Sequence, residues 1–410
     1  MSRTMCLACF AGAALAGLAN AQTSTDVNRA YANEMIADAD SRASGLADAG
    51  YDNGFVINSA DGNNQLRING MTQFRYYLNF RDTPSNSTDE DFTNGFEQHD
   101  TRLVFSGHVL NPNLNFKIEG AFTNEGNFGL LDAYGTYQLD NGMKIWFGQF
   151  KAPTTREWLV SDFSQLAIDR SMVNEVFNPG YTQGIALSYQ AEQWRGVVSF
   201  NDGARTGNTP FTSPAEADFA LTARGEWMWA GQWERFDDFT SWRNSDGYAG
   251  MVGAAVHWQT GGGTGPGNPS DLDVFQYTAD VSFEGNGWNV FAEFVGQTTD
   301  PENQDSFNDF GFVVQGGLFV TDQAELFARW DSVLPDDERT VDDAFNTITA
   351  GVNYYFIPES QSAKLSGDIQ YFIDEPNDLV AALGSDSNTG FVQTTEDSEF
   401  AVRFQMQLTF

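Results

Sequence analysis

The sequence predicts an all-β fold, a transmembrane antiparallel β-barrel of about sixteen strands. In residues 66–80 the positions that share a face with Leu66 and Phe80 are nearly all apolar, and the intervening positions are mostly polar. Side chains of a strand point alternately to its two faces, so this pattern suits a strand between lipid and water. Aromatic residues make up 14% of the chain, although its mean hydropathy is only −0.37. This composition is typical of membrane barrels and not of helical membrane proteins.

The first residues have the pattern of a secretory signal peptide. Residues 1–21 contain Arg3, an apolar run and a small-residue Ala-Asn-Ala motif at positions 19–21. This arrangement predicts export and cleavage after residue 21. Both cysteines, Cys6 and Cys9, lie in this segment, so the exported chain would contain no disulfide. Lipid attachment at Cys9 is the alternative.

Residues 22–60 differ in composition from the rest and are predicted to form an N-terminal periplasmic extension. Asp26 is a suitable N-cap for a short helix that would end at Gly50, although the apolar stripe of that helix is thin. The helix would pack on the periplasmic end of the barrel or self-associate, and a loosely ordered extension is the alternative. Residues 61–410 are predicted to form the barrel.

Tight turns and longer polar loops alternate between the predicted strands. Turns rich in Asn, Gly and Pro fall at residues 111–113 and 285–287, as expected for periplasmic turns of a barrel. A long segment at residues 230–247 falls where a short turn is expected, and no sequence pattern accounts for it. The final strand, residues 400–410, ends on Phe410, which resembles the signal recognised by outer-membrane assembly machinery. A soluble β-sandwich is the alternative fold.

The chain is strongly acidic, with 56 acidic residues, 21 basic residues and a formal net charge of −35. This balance argues against nucleic-acid binding, because a phosphate backbone requires a basic surface. The acidic excess falls in predicted loops at residues 82–92, 299–309, 335–343 and 394–399. Such loops form a solvated surface, and the alternative is a mouth that attracts cations or binds divalent ions. Basic residues within strands fall on the face away from lipid, where they avoid a cost of about 2–4 kcal/mol each.

The most specific pattern lies between residues 131 and 189. The segments LLDAY, GQFKAP and DRSMVNEVF, the last followed by Pro-Gly, are similar to the phosphate-selective porin O and P family. Fainter similarities, such as ELFARWD and GVNYYF, extend over most of residues 60–410. The resemblance implies an outer-membrane porin, usually a homotrimer, whose inward-folded third loop narrows the pore. The matching loop in this sequence would run from about residue 152 to residue 180.

The resemblance also implies which side chains meet the solute, because basic residues line the pore of the phosphate-specific members. In this sequence that role falls to Lys151, Arg156 and Arg170 in or beside the loop, and further to the strand residues Arg67, Arg75 and Arg102. A ring or ladder of basic side chains is a reasonable anion filter. The negative overall charge departs from the phosphate-specific pattern, so selectivity for anions or cations stays open.

The predicted function is passive diffusion of small hydrophilic solutes or inorganic anions through a barrel embedded in outer-membrane lipid. An enzyme is not predicted, because His108 and His257 point inward and have no serine and orienting residue beside them. No cofactor is expected, because the glycine-rich residues 261–270 open no helix. No metal site is expected, because the histidines are too scattered for a zinc motif. A structural or adhesive barrel without transport is the alternative function.

Overall fold

The computed structural model describes most of the barrel and little of the N-terminal region. It describes residues 34–35, 49–51, 54–82, 91–122, 126–245, 247–263, 271–302, 305–337, 344–381, 383 and 396–410. The predicted signal peptide, most of the predicted N-terminal helix and parts of the four acidic loops lie outside the described residues. Within the described residues, no helix has the length and apolar character needed to cross a membrane.

The described residues form a closed antiparallel barrel of sixteen strands, as predicted. Two short strands precede it, β1 (Ala49–Tyr51) and β2 (Phe55–Asn58). The barrel strands are β3 (Gln65–Phe80), β4 (Phe92–His108), β5 (Leu114–Phe122), β6 (Phe128–Gln138), β7 (Met143–Lys151), β8 (Tyr181–Gln190), β9 (Trp194–Asn201), β10 (Phe219–Ala230), β11 (Ala249–Thr260), β12 (Leu272–Gly285), β13 (Trp288–Pro301), β14 (Phe307–Phe319), β15 (Ala324–Leu334), β16 (Phe345–Tyr355), β17 (Ala363–Phe372) and β18 (Glu399–Thr409). Each strand pairs with its neighbours in sequence, and β18 pairs with β3 to close the sheet.

The hairpin of β1 and β2 covers an edge that the closed barrel would leave exposed. The pairing of β18 with β3 ends at Met71, so the first residues of β3 extend beyond it. β2 pairs with residues 65–68 of β3 and thereby occupies this edge. The chain is therefore extended around Gly50, where the sequence predicts the end of a helix.

The alternation predicted from the sequence separates a lipid face from a lumen face. On β16, for example, Ile348 and Val352 are exposed, whereas Thr349 and Asn353 are fully buried inside the barrel. Strand geometry sends neighbouring side chains to opposite faces, so apolar residues face lipid and polar residues face the interior.

The connections at the two ends of the barrel differ in length. At the end where β3 begins and β18 ends they are short, and they span residues 109–113, 139–142, 191–193, 286–287, 320–323 and 356–362. The opposite end carries longer connections, including residues 152–180 and 202–218. Short turns mark the periplasmic end of such barrels. Residues 231–248 are the exception, because this long connection between β10 and β11 lies at the periplasmic end.

The connection at residues 152–180, hereafter the inward loop, folds into the barrel as the resemblance implied. It contains α1 (Arg156–Leu159), a 3-10 turn (Asp162–Ser164) and α2 (Met172–Phe177). Pro153 lies directly after β7, where the missing N–H prevents the strand ladder from continuing. The Ser171 hydroxyl caps α2 by accepting from the Asn174 N–H. A further helix, α3 (Asp378–Ala381), lies in the connection between β17 and β18.

An apolar core fills one side of the lumen. It joins residues of the inward loop to inward-facing side chains of the C-terminal strands, and its members include Leu166, Met172, Val173, Phe177, Phe291, Val295, Val313, Phe327, Val333, Phe345 and Phe372. Phe239, from the periplasmic connection, belongs to the same core. At these positions the strands are apolar toward the lumen as well as toward lipid, since the folded-in chain covers the lumen side.

Candidate functional site: the constricted lumen

Carboxylates on the inner wall hold the inward loop by its backbone. Each accepts a hydrogen bond from a loop N–H group: Glu293 on β13 from Arg156 (2.7 Å), Asp331 on β15 from Met172 (2.9 Å), and Asp368 on β17 from Ile168 (3.3 Å). Hydrogen bonds to a charged acceptor are stronger than those between neutral groups. These acidic side chains thus fix the loop against the wall formed by β13 to β17.

Basic side chains on the same wall bind the loop carbonyls. Arg329 on β15 donates to the carbonyl oxygens of Asp169 (2.7 Å) and Arg170 (3.2 Å). Lys364 on β17 donates to the Gln165 carbonyl at 3.1 Å. The backbone N–H and C=O groups of an irregular loop inside a barrel need hydrogen-bond partners, although no strand pairs with them. The side chains of Arg329 and Lys364 provide such partners for the loop carbonyls.

Asp169 ties the loop to the seam of the barrel. Its carboxylate lies 2.8 Å from Arg75 on β3 and 3.1 Å from Arg403 on β18, and both guanidinium groups are buried. Burial alone would raise the pKa of Asp169, but the charges of Arg75 and Arg403 outweigh it and hold the pKa below its ordinary value. Arg75, predicted as a pore residue, is therefore an anchor of the loop in the structure.

The opposite side of the lumen is open. A cavity of about 750 Å³, hereafter the passage, lies between the inward loop and the inner faces of strands β4 to β10. It reaches the periplasmic end of the barrel at Gly142 and Gln190. Its charged lining comprises six basic residues, Arg102, Lys117, Lys144, Lys151, Arg195 and Arg224, and three acidic residues, Glu119, Asp132 and Glu226. Positive side chains thus outnumber negative ones along the passage.

Two of the lysines form no close ion pair with a carboxylate among the described residues. Lys151 donates to the Trp158 carbonyl at 2.8 Å and lies 4.6 Å from the centre of the Trp158 ring, and Lys144 lies 5.8 Å from that of Trp146. Within the part of the chain that the structure describes, neither lysine lies within 4 Å of a carboxylate oxygen. The Trp146 ring also packs on Tyr134, with 4.8 Å between ring centres. Both positive charges are therefore uncompensated by direct ion pairs.

Arg156 and Arg170 lie behind the surface of the passage and do not line it. Arg156 is 3% exposed and donates to the Phe236 carbonyl at 2.5 Å. Arg170 is 7% exposed, pairs with Asp162, and donates to the carbonyls of Glu157 (2.9 Å) and Val160 (2.7 Å). A guanidinium carries five donors, which suits it to a turn with several carbonyls. In the structure both arginines shape the loop from within.

The two remaining predicted arginines differ in position. Arg102 lines the passage and pairs with Asp100 (2.7 Å), with Glu119 (3.0 Å) and with Asp162 of the loop. Arg67 lies near the periplasmic start of β3, opposite Ser106, and is not among the residues that line the passage. Of the six predicted basic residues, the structure thus brings Lys151 and Arg102 together at the passage.

Asp162 places a negative charge at the edge of the loop. Burial alone would raise the pKa of Asp162, but the charges of Arg102, Arg170 and Lys151 outweigh it and hold the pKa below its ordinary value. The carboxylate is therefore ionised at neutral pH and reduces the local positive charge.

The sequence alone did not single out four of the lining residues as functional: Lys117, Lys144, Arg195 and Arg224. All four lie on inner faces within the run of neighbouring strands from β5 to β10, namely on β5, β7, β9 and β10. Grouping inward-facing basic residues by neighbouring strands, instead of concentrating on the loop, would have found them.

Solved structures of outer-membrane proteins resemble this fold at low sequence identity. The anion-selective porin from Comamonas acidovorans aligns with a TM-score of 0.59 and 13% identity, over 85% of this chain and all of that chain (100%). The channel DcaP of Acinetobacter baumannii aligns with a TM-score of 0.56 and 13% identity, over 88% of this chain and all of that chain (100%). OmpT of Vibrio cholerae, in a trimer form, aligns with a TM-score of 0.56 and 14% identity, over 84% of this chain and 99% of that chain.

A comparison with curated protein sequences finds no match. The family model described as phosphate-selective porin O and P matches residues 71–371, which is most of the chain and nearly the whole barrel. This range includes the inward loop, both lysines of β7 and every charged residue that lines the passage. The chain therefore belongs to the phosphate-selective porin O and P family.

Proposed function

We propose that this outer-membrane porin passes small hydrophilic solutes by diffusion and prefers anions. The observation that carries the proposal is the lining of the passage, where six basic side chains stand against three acidic ones in a chain whose net charge is −35. Positive charge is thus concentrated along this cavity of the lumen.

Local charge dominates selectivity because salt screens distant charges. The Debye length is about 8 Å at physiological ionic strength. A permeating ion in the passage therefore interacts chiefly with the lining side chains, and Lys144 and Lys151 offer it charges that no carboxylate neutralises within 4 Å in the described structure. Charges in solvated loops beyond that distance have a weaker influence on the ion.

Phosphate as the preferred anion is a finer proposal. The family description supports it, and the Comamonas acidovorans structure is described as an anion-selective porin. A comparison of phosphate and chloride permeability in one membrane would test the preference. Equal permeability would leave a general anion channel.

The proposal is tested by reconstitution into planar bilayers under a salt gradient. We expect conductance steps and a reversal potential of the sign given by anion preference. The opposite sign would mean that acidic residues set the selectivity. An absence of steps would contradict the channel and favour a structural or adhesive barrel.

We further propose that the protein is a homotrimer surrounded by outer-membrane lipid and inserted by the assembly machinery after cleavage of residues 1–21. The trimer form of the Vibrio cholerae protein supports the oligomeric state. Cross-linking in outer-membrane vesicles would test it, and a predominantly monomeric species would contradict it.

A further inference from the structure

Residues 231–248, hereafter the periplasmic segment, enter the lumen from the end opposite to the inward loop. The segment joins β10 to β11 and contains a 3-10 turn at Trp233–Phe236. Its deepest point meets the inward loop, because the Phe239 N–H donates to the Ser164 carbonyl at 3.2 Å. Two connections from opposite ends of the barrel are thus hydrogen-bonded to each other inside it.

Arg156 joins the two segments at this junction. Its guanidinium donates to the Phe236 carbonyl at 2.5 Å and lies 5.4 Å from the centre of the Phe239 ring. The Phe239 ring in turn packs on Phe291 of β13, with 4.8 Å between centres. Arg156 is therefore a positioning residue, which links the start of the inward loop to the tip of the periplasmic segment.

The remainder of the segment reaches toward distant parts of the wall. On one side the Trp233 indole donates to the Ala191 carbonyl, in the turn between β8 and β9, at 2.9 Å. On the other side Trp242 packs on Phe319 at the end of β14 (5.3 Å) and on Tyr355 at the end of β16 (4.7 Å). Contacts from the β8–β9 turn to β16 span about half of a sixteen-strand barrel, so the segment crosses the periplasmic mouth.

These contacts place the segment below the apolar core and away from the central part of the passage. Phe239 belongs to the core that the inward loop forms with the C-terminal strands. The passage runs along β4 to β10 and opens toward Gly142 and Gln190 at its periplasmic end. A solute that leaves the passage thus meets a mouth narrowed by the segment.

We propose that the periplasmic segment is the second half of the constriction: it supports the inward loop from below and sets the conductance and the size limit of the pore. The proposal rests on the channel function argued above. In this proposal, residues 231–248 select solutes by size, whereas the charged residues that line the passage select them by the sign of their charge.

The test replaces residues 232–247 by Asn-Gly, a two-residue connection suited to a hairpin. We expect single-channel conductance to rise about twofold or more, because ion flow depends on the width of the narrowest part. Larger neutral sugars should also enter liposomes that carry the variant and not those that carry the wild type. Unchanged conductance and an unchanged size limit would overturn the proposal.

A point variant covers the case in which the shortened chain fails to form a barrel. Phe239→Ala removes the ring at the junction, and we expect higher conductance with an unchanged sign of the reversal potential. Phe211→Ala is the matched control, because Phe211 is 91% exposed in the connection between β9 and β10 and lies outside the periplasmic segment. Equal conductance of the Phe239→Ala variant and the control would overturn the proposal. If the wild type itself does not conduct, the channel function fails instead.

Discussion

Arg403, on the last strand, and Asp169, in the inward loop, form a buried ion pair in which Nη1 and Oδ2 lie 3.1 Å apart. Arg75 of the first barrel strand lies on the other side of the same carboxylate, at 2.8 Å. One loop side chain therefore binds both strands that close the barrel.

Asp169→Asn should destabilise the protein. The change removes the carboxylate from two buried guanidinium groups, and breaking a buried pair costs about 3–5 kcal/mol. Thermal or denaturant unfolding in detergent measures the loss. Asp237→Asn is the control, because Asp237 is 70% exposed and 3.9 Å from Arg195, a geometry worth about 0–1 kcal/mol. Equal effects of the two substitutions would contradict the anchoring role of Asp169.

The same pair predicts a pH dependence of stability. The pKa of Asp169 is lower in the folded protein than its ordinary value, so its stabilising contribution is present above the ordinary pKa of about 4. The contribution is lost only as the pH falls through the lower folded value. The stability difference between wild type and Asp169→Asn should therefore be constant from pH 8 to pH 5 and shrink in stronger acid. A difference that shrinks already between pH 8 and pH 6 would contradict it.

Lys144→Gln combined with Lys151→Gln should shift the reversal potential toward cations. The double change removes two of the six positive side chains of the passage, and both lack acidic partners within the described residues. The measurement is the reversal potential in a salt gradient. Lys144→Arg with Lys151→Arg keeps both charges and should keep the wild-type value. A shift in the arginine control as large as that in the glutamine variant would mean that charge is not the cause.

Asp162→Asn should shift the reversal potential in the opposite direction, toward anions. The carboxylate is 22% exposed and pairs with Arg102 and Arg170, so its removal releases positive charge at the edge of the passage. Asp162→Glu retains the charge and serves as the comparison. No difference between the two variants would show that this edge of the loop lies outside the ion path.

Gly311→Ala should displace α2 and destabilise the loop by about 1–3 kcal/mol, the usual cost of overpacking. A Cβ at Gly311 would lie 2.6 Å from Val173 Cγ1 and 2.9 Å from Phe177 Cε2. Gly225→Ala is the matched control, since a Cβ there meets no atom within 4 Å. Protease cleavage within the loop and thermal unfolding would compare the two. If both variants behave alike, close packing of α2 on β14 is not required.

Removal of Phe410 should reduce the amount of protein in the outer membrane. The sequence predicts this terminal aromatic residue as an assembly signal, and its N–H and C=O both bond to Gly70 at 2.9 Å. Phe410→Tyr retains an aromatic ring and the backbone pairing. Membrane fractions of expressing cells give the measurement, and equal amounts of the two variants would contradict a role for the terminal ring.

The barrel was predictable because the alternation of apolar and polar residues recurs from strand to strand. Residues 66–80, for example, form β3 (Gln65–Phe80) almost as predicted, since alternation, length and turn residues all favour the same structure. The inward loop was predictable from the resemblance of residues 131–189 to a family. Neither the alternation pattern nor the family resemblance requires knowledge of contacts between residues that are distant in the sequence.

The roles of Arg156 and of the periplasmic segment were not predictable in the same way. Arg156 and Phe236 are far apart in the sequence, and nothing near either residue indicates their contact. A partial signal did exist, because Phe291, Val295 and Val313 are apolar on the inner face. Apolar side chains on both faces of a barrel strand indicate that part of the chain covers the lumen side. Polar residues at other inward-facing positions of the same strands made this apolar pattern difficult to recognise.

The inner wall is divided between two tasks along the chain. The charged residues of the passage lie between Arg102 and Glu226, whereas the wall residues Glu293, Arg329, Asp331, Lys364 and Asp368, which bind the backbone of the inward loop, all lie later in the chain. An engineer can therefore alter the charge of the passage at Lys117 or Lys144 while the hydrogen bonds from these later strands stay intact. Arg102, Lys151 and Arg224 serve both tasks, because they line the passage and also bind the loop. The second half serves as an invariant frame, and one such frame can support pores of many different selectivities.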